Sequence, residues 1–256
     1  MSIFALADAG DSAGVLSLLD DAGAKIDARD TDGRTVLHHA AAAGHAALLE
    51  ALVSRGARSD TADDGAWSPL HSAAAAGREE CVMLLLAATS ANSLFAGTAS
   101  THPLILAASK GHAGVVQALL RASANVLAVD ATGGTALHRS AGNGHVAVIE
   151  TLLAAAKSKL LDRKDNDGHT AFHLAAIHEQ SAACIALAEA GAELNTINGD
   201  GEAPASLLKP SLRSQLGLLG DEESAEDFTD WLAEHYPVPN PAAKAAGAGG
   251  AGGMYL

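Results

Sequence analysis

The chain has 256 residues and a formal net charge of -14, because 30 Asp and Glu residues face only 16 Lys and Arg residues. Nucleic-acid binding needs clustered basic side chains, so this balance argues against a nucleic-acid partner and favours partners with a basic surface. No apolar run reaches the roughly 18 residues of a membrane span, and the start lacks the basic segment and long apolar core of a signal peptide. We therefore expect no membrane partner and a location in the cytoplasm and nucleus.

Residues 1–29 are predicted to form a capping repeat. Ile3 to Ala9 should be a short helix, Gly10 should break it, and Val15 should lie in a second helix that ends before Gly23. Terminal repeats need a polar outer face. The aspartates of this segment provide one, namely Asp8, Asp11, Asp20 and Asp21.

One pattern then recurs along the chain. Residues 67–77 read Trp-Ser-Pro-Leu-His-Ser-Ala-Ala-Ala-Ala-Gly, and similar stretches follow Thr35, Thr135 and Thr170, with a weaker copy at His102. The position of His71 in this pattern, which we call the anchor, recurs at 38, 71, 105, 138, 173 and, in degenerate form, 206. Such a period indicates a stack of repeats. Five repeats begin near Asp30, Asp63, Ala96, Asp130 and Asp165, and an eroded seventh runs from Asp200 to about Leu219.

Each part of the pattern predicts a step in a helix pair. Thr or Ser should cap the first helix, Pro suits its first position, and the glycine six residues after the anchor should end it in the left-handed conformation. Apolar pairs about four residues apart predict a second helix that is buried by stacking on the next repeat. Glu179 replaces the stop glycine of the sixth repeat. We expect irregular loops at 89–100 and 154–165, where the spacing gains residues.

The histidines and cysteines are predicted to be structural. Seven of the 12 histidines occupy recurrent positions, at the anchor or just after the stop glycine: His38, His71, His138, His173, His45, His112 and His145. An anchor imidazole is expected to hydrogen-bond within and between the hairpin turns. Cys81 and Cys184 take positions that other repeats give to Leu, Val or Ile, which predicts buried thiols. We find no paired-cysteine metal motif, nucleophile elbow or phosphate loop, so we expect no enzyme, metal or cofactor.

The period and its signature resemble the ankyrin-repeat family. The resemblance implies an all-α repeat solenoid of about seven repeats over residues 1–219. It also implies a surface for protein binding, a concave groove lined by hairpin tips and first helices. Residues 220–256 change to an acidic and then Ala/Gly-rich composition, interrupted by three prolines, which predicts a mostly disordered, flexible tail. We expect a monomer.

The groove supplies the candidate partner-binding residues. The predicted tips are mostly acidic, and the floor includes cations. We predict contacts from Asp30, Asp32, Arg34, Asp63, Asp64, Trp67, Asp130, Asp165 and Asp167 at the tips, and from His39, Lys110 and Arg139 on the floor. The alternative for the aspartates is that they only form turns and keep the surface soluble. Acidic tips, an exposed Trp67 and floor cations together suit one partner with alternating charge.

Two stretches resemble the gankyrin family of seven-repeat ankyrin proteins. They are Asp64-Gly-Ala-Trp-Ser-Pro-Leu-His71, followed by residues 75–80, and Thr135-Ala-Leu-His-Arg139. That resemblance implies a chaperone for assembly of the proteasome regulatory particle, which holds an ATPase subunit in the groove. The alternative is a scaffold, or an inhibitor of a kinase or transcription factor, unrelated to the proteasome. Leu174-Ala-Ala-Ile-His178 departs from the family's Leu-x-Cys-x-Glu motif, so retinoblastoma binding does not carry over.

The last three residues, Met254, Tyr255 and Leu256, resemble the hydrophobic-tyrosine-any motif with which proteasome activators dock into the core particle. A terminal carboxylate, a tyrosine ring and an apolar neighbour suit such a pocket. The resemblance predicts docking to the core particle through a flexible tether, and the alternative is a disordered end without a partner.

Overall fold

The computed structural model describes residues 1–21, 23–88 and 102–218. Regular structure in these ranges is helical, apart from two isolated bridges that close hairpins, Arg29 with Thr35 and Val129 with Thr135. The helices are α1 (Ile3–Ala9), α2 (Ser12–Asp20), α3 (Val36–Ala43), α4 (Ala46–Ser54), α5 (Pro69–Ala75), α6 (Glu79–Ala88), α7 (Pro103–Lys110), α8 (Ala113–Arg121), α9 (Ala136–Gly142), α10 (Val146–Leu160), α11 (Ala171–Ile177), α12 (Ser181–Glu189) and α13 (Pro210–Gln215), with a 3₁₀ helix at Pro204–Leu207. None of these described helices is long and apolar enough to cross a lipid bilayer.

The N-terminal cap has the predicted form. The Ser2 hydroxyl accepts the amide of Ala5 at 3.2 Å to start α1, and Gly10 ends the helix with φ +74°. The carboxylate of Asp11 then accepts the amide of Gly14 at 2.9 Å to start α2. Side-chain acceptors satisfy amides that have no partner inside the helix. Both short helices of the cap are therefore fixed locally, and α1 also packs on α3.

The anchor histidines join successive hairpins, as the sequence predicts. The backbone N–H of Thr35 donates to Nδ1 of His38 at 3.1 Å, so the ring proton lies on Nε2, which donates to the carbonyl of Trp67 at 2.9 Å. His138 reaches the carbonyl of His169 at 3.0 Å in the same way, and His173 reaches that of Glu202 at 3.1 Å. Burial lowers the pKa of the three imidazoles. Each neutral ring therefore acts as a clamp between two repeats.

Stop glycines serve a second purpose besides turning the chain. Gly111 has φ +81°, and a Cβ added there would lie 2.7 Å from Nδ1 of His145, the residue that follows the next repeat's stop glycine. His145 occupies that space because its Nε2 hydrogen-bonds the carbonyl of Ser109 at 3.0 Å. The missing side chain thus lets adjacent repeats approach closely.

Among the described residues, three that are not glycine adopt positive φ. Ala66 (φ +62°) stands where other hairpins have Gly33 or Gly133, and Ser123 (φ +65°) and Glu179 (φ +56°) stand at helix ends. Glu179 forms an ion pair with Lys209.

A continuous apolar core runs from Ile3 to Leu218 through the stacked helices. Small alanines on the first helices let neighbouring repeats pack closely, while the second helices contribute Leu, Val and Ile. Cys81 and Cys184 are free and buried, as predicted. Burial raises the pKa of the Cys184 thiol to about 12, so this thiol stays protonated at neutral pH.

The prediction of an irregular loop at 154–165 is wrong for most of that stretch. Helix α10 continues to Leu160, with a kink at Ala156, where φ is -156° and ψ is 44°. Good helix formers follow the kink, and the side chains of Leu160 and Leu161 are buried. The residues that lengthen this repeat therefore extend its second helix. The other predicted loop, 89–100, and the tail lie outside the described residues.

Candidate partner-binding groove

The first aspartate of each hairpin shapes the turn. Oδ1 of Asp63 accepts the amides of Gly65 at 2.9 Å and Trp67 at 2.8 Å. Equivalent pairs of bonds reach Asp30, Asp130, Asp165 and, in the seventh repeat, Asn198. These four predicted aspartates therefore form turns, and their contact with a partner stays a prediction. The turn uses Oδ1, so Oδ2 takes no part in shaping it.

The outer tips form a row that presents carboxylates to solvent. The amide of Asp64 donates to the carbonyl of Asp32 at 3.0 Å, and the amide of Gly199 donates to that of Asp167 at 2.8 Å. Asp32, Asp64 and Asp167 are exposed. Backbone bonds thus hold neighbouring tips in place, and their charges remain available to a partner.

The structure does not leave His39 open on the groove floor. Its Nδ1 lies 2.9 Å from Oδ1 of Asp8, and its Nε2 lies 2.8 Å from Oδ2 of Asp30. The residue is only 9% exposed. His39 therefore links the N-terminal cap to the second repeat, and its prediction as an accessible floor residue is corrected.

Arg139 is likewise held within its own repeat. Its Nε and Nη2 atoms each lie 2.6 Å from Oδ2 of Asp130, and Nη2 also donates to Oγ1 of Thr132 at 2.6 Å. Burial raises the pKa of Asp130, but hydrogen bonds from Thr132 and Arg139 outweigh that effect and lower the pKa overall. Arg139 is thus not the free cation of the sequence prediction, since it already has a carboxylate partner.

Lys110 remains a candidate floor cation. It is the last residue of α7 and is exposed. It forms no ion pair with another described residue; the Lys and Arg side chains that do form such pairs are at other positions. It can therefore contribute a positive charge to a bound partner.

A cavity of about 380 Å³ lies between the second and third repeats, which the sequence did not reveal. Trp67 forms one wall, but it is half-buried rather than exposed as predicted, because its ring stacks on His71 with centroids 6.3 Å apart. The full lining is Arg34, Ala42, Asp63, Trp67, Ser72, Ala75 and Ala76. The signal in the sequence was Ser72, a small residue where two other repeats have His39 and Arg139.

One described cluster has metal-ligand residue types. Ligand atoms of Asp165, Asp167 and His169 lie within 4.8 Å of one another. Oδ1 of Asp165 already accepts the amides of Asp167 at 3.0 Å and His169 at 2.8 Å. The hairpin turn itself accounts for this arrangement. The predicted docking residues Met254, Tyr255 and Leu256 lie outside the described part of the chain.

Comparisons with known proteins agree with this architecture. The family model described as ankyrin repeats matches residues 3–95 and 104–198. The ankyrin repeat domain of human ASB11 superposes with a TM-score of 0.74 at 23% identity, covering 88% of this chain and 99% of that one. The ankyrin repeat domain of Bcl-3, a member of the IkappaB family, gives 0.69 at 19% identity, with 84% and 97% coverage. No curated protein matches the sequence significantly.

Proposed function

The chain belongs to the ankyrin-repeat family, and on that premise we propose that it binds another protein through the groove between its hairpin tips and first helices. The observation that carries the proposal is the cavity beside Trp67. Asp63 and Arg34 line it together, and neither is in an ion pair with another described residue. Charged groups held beside an aromatic wall and a small-residue floor suit a protein ligand of alternating charge.

Catalysis is not part of the proposal, because the matched family indicates no catalytic activity. In addition, the cysteine and histidine side chains that could take part in catalysis have structural roles in the fold. The thiols of Cys81 and Cys184 are buried and have raised pKa values. The imidazoles of His38, His138 and His173 hydrogen-bond to the next repeat and have lowered pKa values.

The more specific form of the proposal is that the partner is a proteasomal ATPase subunit, held during assembly of the regulatory particle in the cytoplasm and nucleus. Its support is the resemblance of residues 64–80 and 135–139 to the gankyrin family. The acidic row of Asp32, Asp64 and Asp167 adds a surface for a basic partner. The competing candidate is a scaffold or inhibitor unrelated to the proteasome.

Affinity purification of the full chain at low salt, followed by mass spectrometry, tests this proposal. We expect an ATPase subunit to be recovered with the wild type and lost with Lys110→Glu, because a floor cation is reversed. Lys159→Glu is the matched control, since Lys159 is exposed in the late part of α10. Recovery of other proteins in the same Lys110-dependent way would support the scaffold instead. Equal recovery with both variants would contradict groove binding.

We also propose that the C-terminus docks on the proteasome core particle through Met254, Tyr255 and Leu256. The support is the motif itself and the Ala/Gly-rich run before it. Deleting Tyr255 and Leu256 should abolish binding to purified core particles and leave groove binding intact. Unchanged core-particle binding would refute this role.

A further inference from the structure

Two repeats cover the hairpin aspartate with a nitrogen-bearing side chain from the first helix. Oδ2 of Asp30 contacts Nε2 of His39 at 2.8 Å, and Oδ2 of Asp130 contacts Nε of Arg139 at 2.6 Å. In each case the residue just after the anchor reaches the aspartate nine positions earlier. Oδ1 shapes the turn and Oδ2 receives a nitrogen donor, so the two oxygens have separate roles.

The third repeat has the same aspartate but lacks the covering side chain. Ser72 occupies the position of His39 and Arg139, and its hydroxymethyl group is too short to fill the space between the first helix and Asp63. Hydrogen bonds from described residues reach Asp63 at Oδ1. The volume that a longer side chain fills elsewhere is here the cavity of about 380 Å³ beside Trp67.

We propose that this cavity binds an arginine side chain of the protein partner, an inference that rests on the groove-binding function above. The guanidinium would take the place that Arg139 takes in the fifth repeat, on the carboxylate of Asp63. A planar guanidinium also stacks on an indole, which Trp67 supplies. Ala75 and Ala76 form the apolar wall that the methylene stem needs.

Arg34 sets a condition on the neighbouring residue of the partner. It lines the same cavity, and two guanidinium groups repel each other unless a negative charge lies between or beside them. The partner segment should therefore carry an acidic residue next to the arginine. This acid–base pair would match Arg34 and Asp63 across one cavity.

A short peptide tests the inference without any knowledge of the natural partner. The probe is acetyl-Gly-Glu-Arg-Gly-amide, and its control contains citrulline, a neutral isostere, in place of arginine. Trp231→Phe leaves Trp67 as the single tryptophan of the full chain, so indole NMR shifts and fluorescence report this cavity. We expect the arginine peptide to shift the Trp67 signals at millimolar concentration and the citrulline peptide not to.

Three variants test the assignment of the binding groups. Asp63→Asn removes the charge and should keep the turn, because Oδ1 of Asn198 accepts the equivalent amides of Asp200 at 3.0 Å and Glu202 at 2.9 Å. Ser72→Arg should fill the cavity from within, as Arg139 does in its repeat. Both should weaken peptide binding about fivefold or more. Ser72→Ala is the matched control and should bind like the wild type.

Wild-type affinity in Asp63→Asn and Ser72→Arg would overturn the inference, as would equal binding of the citrulline peptide or no shift with the arginine peptide. Thermal unfolding verifies that each variant is folded. If Asp63→Asn does not fold, peptide binding by Ser72→Arg tests the inference on its own. The two proposals fail separately. Partner recovery that survives Ser72→Arg would remove the arginine pocket and leave groove binding, whereas absence of any groove partner would not alter the peptide result.

Discussion

Adjacent repeats approach closely at the stop glycines, so we can predict how much unfolding free energy the Gly111→Ala variant should lose. A left-handed alanine costs about 1–2 kcal/mol, partly offset by about 0.4–1 kcal/mol because alanine has less freedom than glycine in the unfolded chain. Gly56→Ala pays this backbone cost alone, since a Cβ at Gly56 (φ +87°) would meet nothing within 4 Å. We expect the control to lose about 0.5–1 kcal/mol of unfolding free energy.

Gly111→Ala must also displace His145. The added Cβ would lie 2.7 Å from Nδ1 of His145, so the ring has to move and its bond to the carbonyl of Ser109 is lost. That bond contributes about 0.5–1.5 kcal/mol, and overpacking adds about 1–3 kcal/mol. The total expected loss is therefore about 2–5 kcal/mol.

Urea unfolding followed by far-UV circular dichroism measures both variants. A double-mutant cycle with His145→Ala should show coupling of about 1 kcal/mol or more, because removing the ring relieves the clash. Equal destabilisation by Gly56→Ala and Gly111→Ala, with no coupling to His145, would refute the idea that glycine is needed there for repeat spacing.

Three further predictions concern stability. Burial lowers the pKa of His38, His138 and His173, so their contribution to folding stability is present above pH 6.5 and is lost as the pH falls toward their lower pKa values in the folded protein. The urea midpoint should therefore drop between pH 7 and pH 5. A flat pH profile would contradict this. Ala66→Gly should raise the unfolding free energy by about 0.5–1 kcal/mol, because φ is +62° there, and a lower melting temperature would contradict it. Leu137→Ala should lower the unfolding free energy by about 2–5 kcal/mol. Hydrogen exchange should then accelerate most near the fifth repeat. Uniform acceleration along the chain would contradict a stack held together by contacts between neighbouring repeats.

The sequence predicts the repeat architecture well because its signals are local and recur. Caps, stop glycines and apolar pairs each act within about one helix, and the period places them in register. The kinked extension of α10 was not predicted, because the extra residues there suggested a loop while their helix propensity and the buried Leu160 favoured a helix. Ala66 and Glu179 adopt positive φ although Ala and Glu disfavour it. The surrounding turn imposes this conformation, and the sequence does not show it.

The groove was predicted less well because side-chain pairing depends on three-dimensional register. His39 and Arg139 looked like free floor residues in the sequence, yet both are held by hairpin aspartates nine residues earlier. The spacing was present in the sequence, but only the structure shows that it brings those atoms together. The same comparison identifies Ser72 as the departure that opens the cavity.

Site-specific photo-cross-linking would show whether a protein binds in the groove. Benzoylphenylalanine would replace Ala76, which lines the cavity, or Met83, which is 51% exposed on the second helix α6. Cross-linked proteins would be identified by mass spectrometry. We expect a protein adduct from position 76 and none from position 83. The adduct should be a proteasomal ATPase subunit if the more specific proposal holds. Adducts from position 83 and none from position 76 would contradict groove binding.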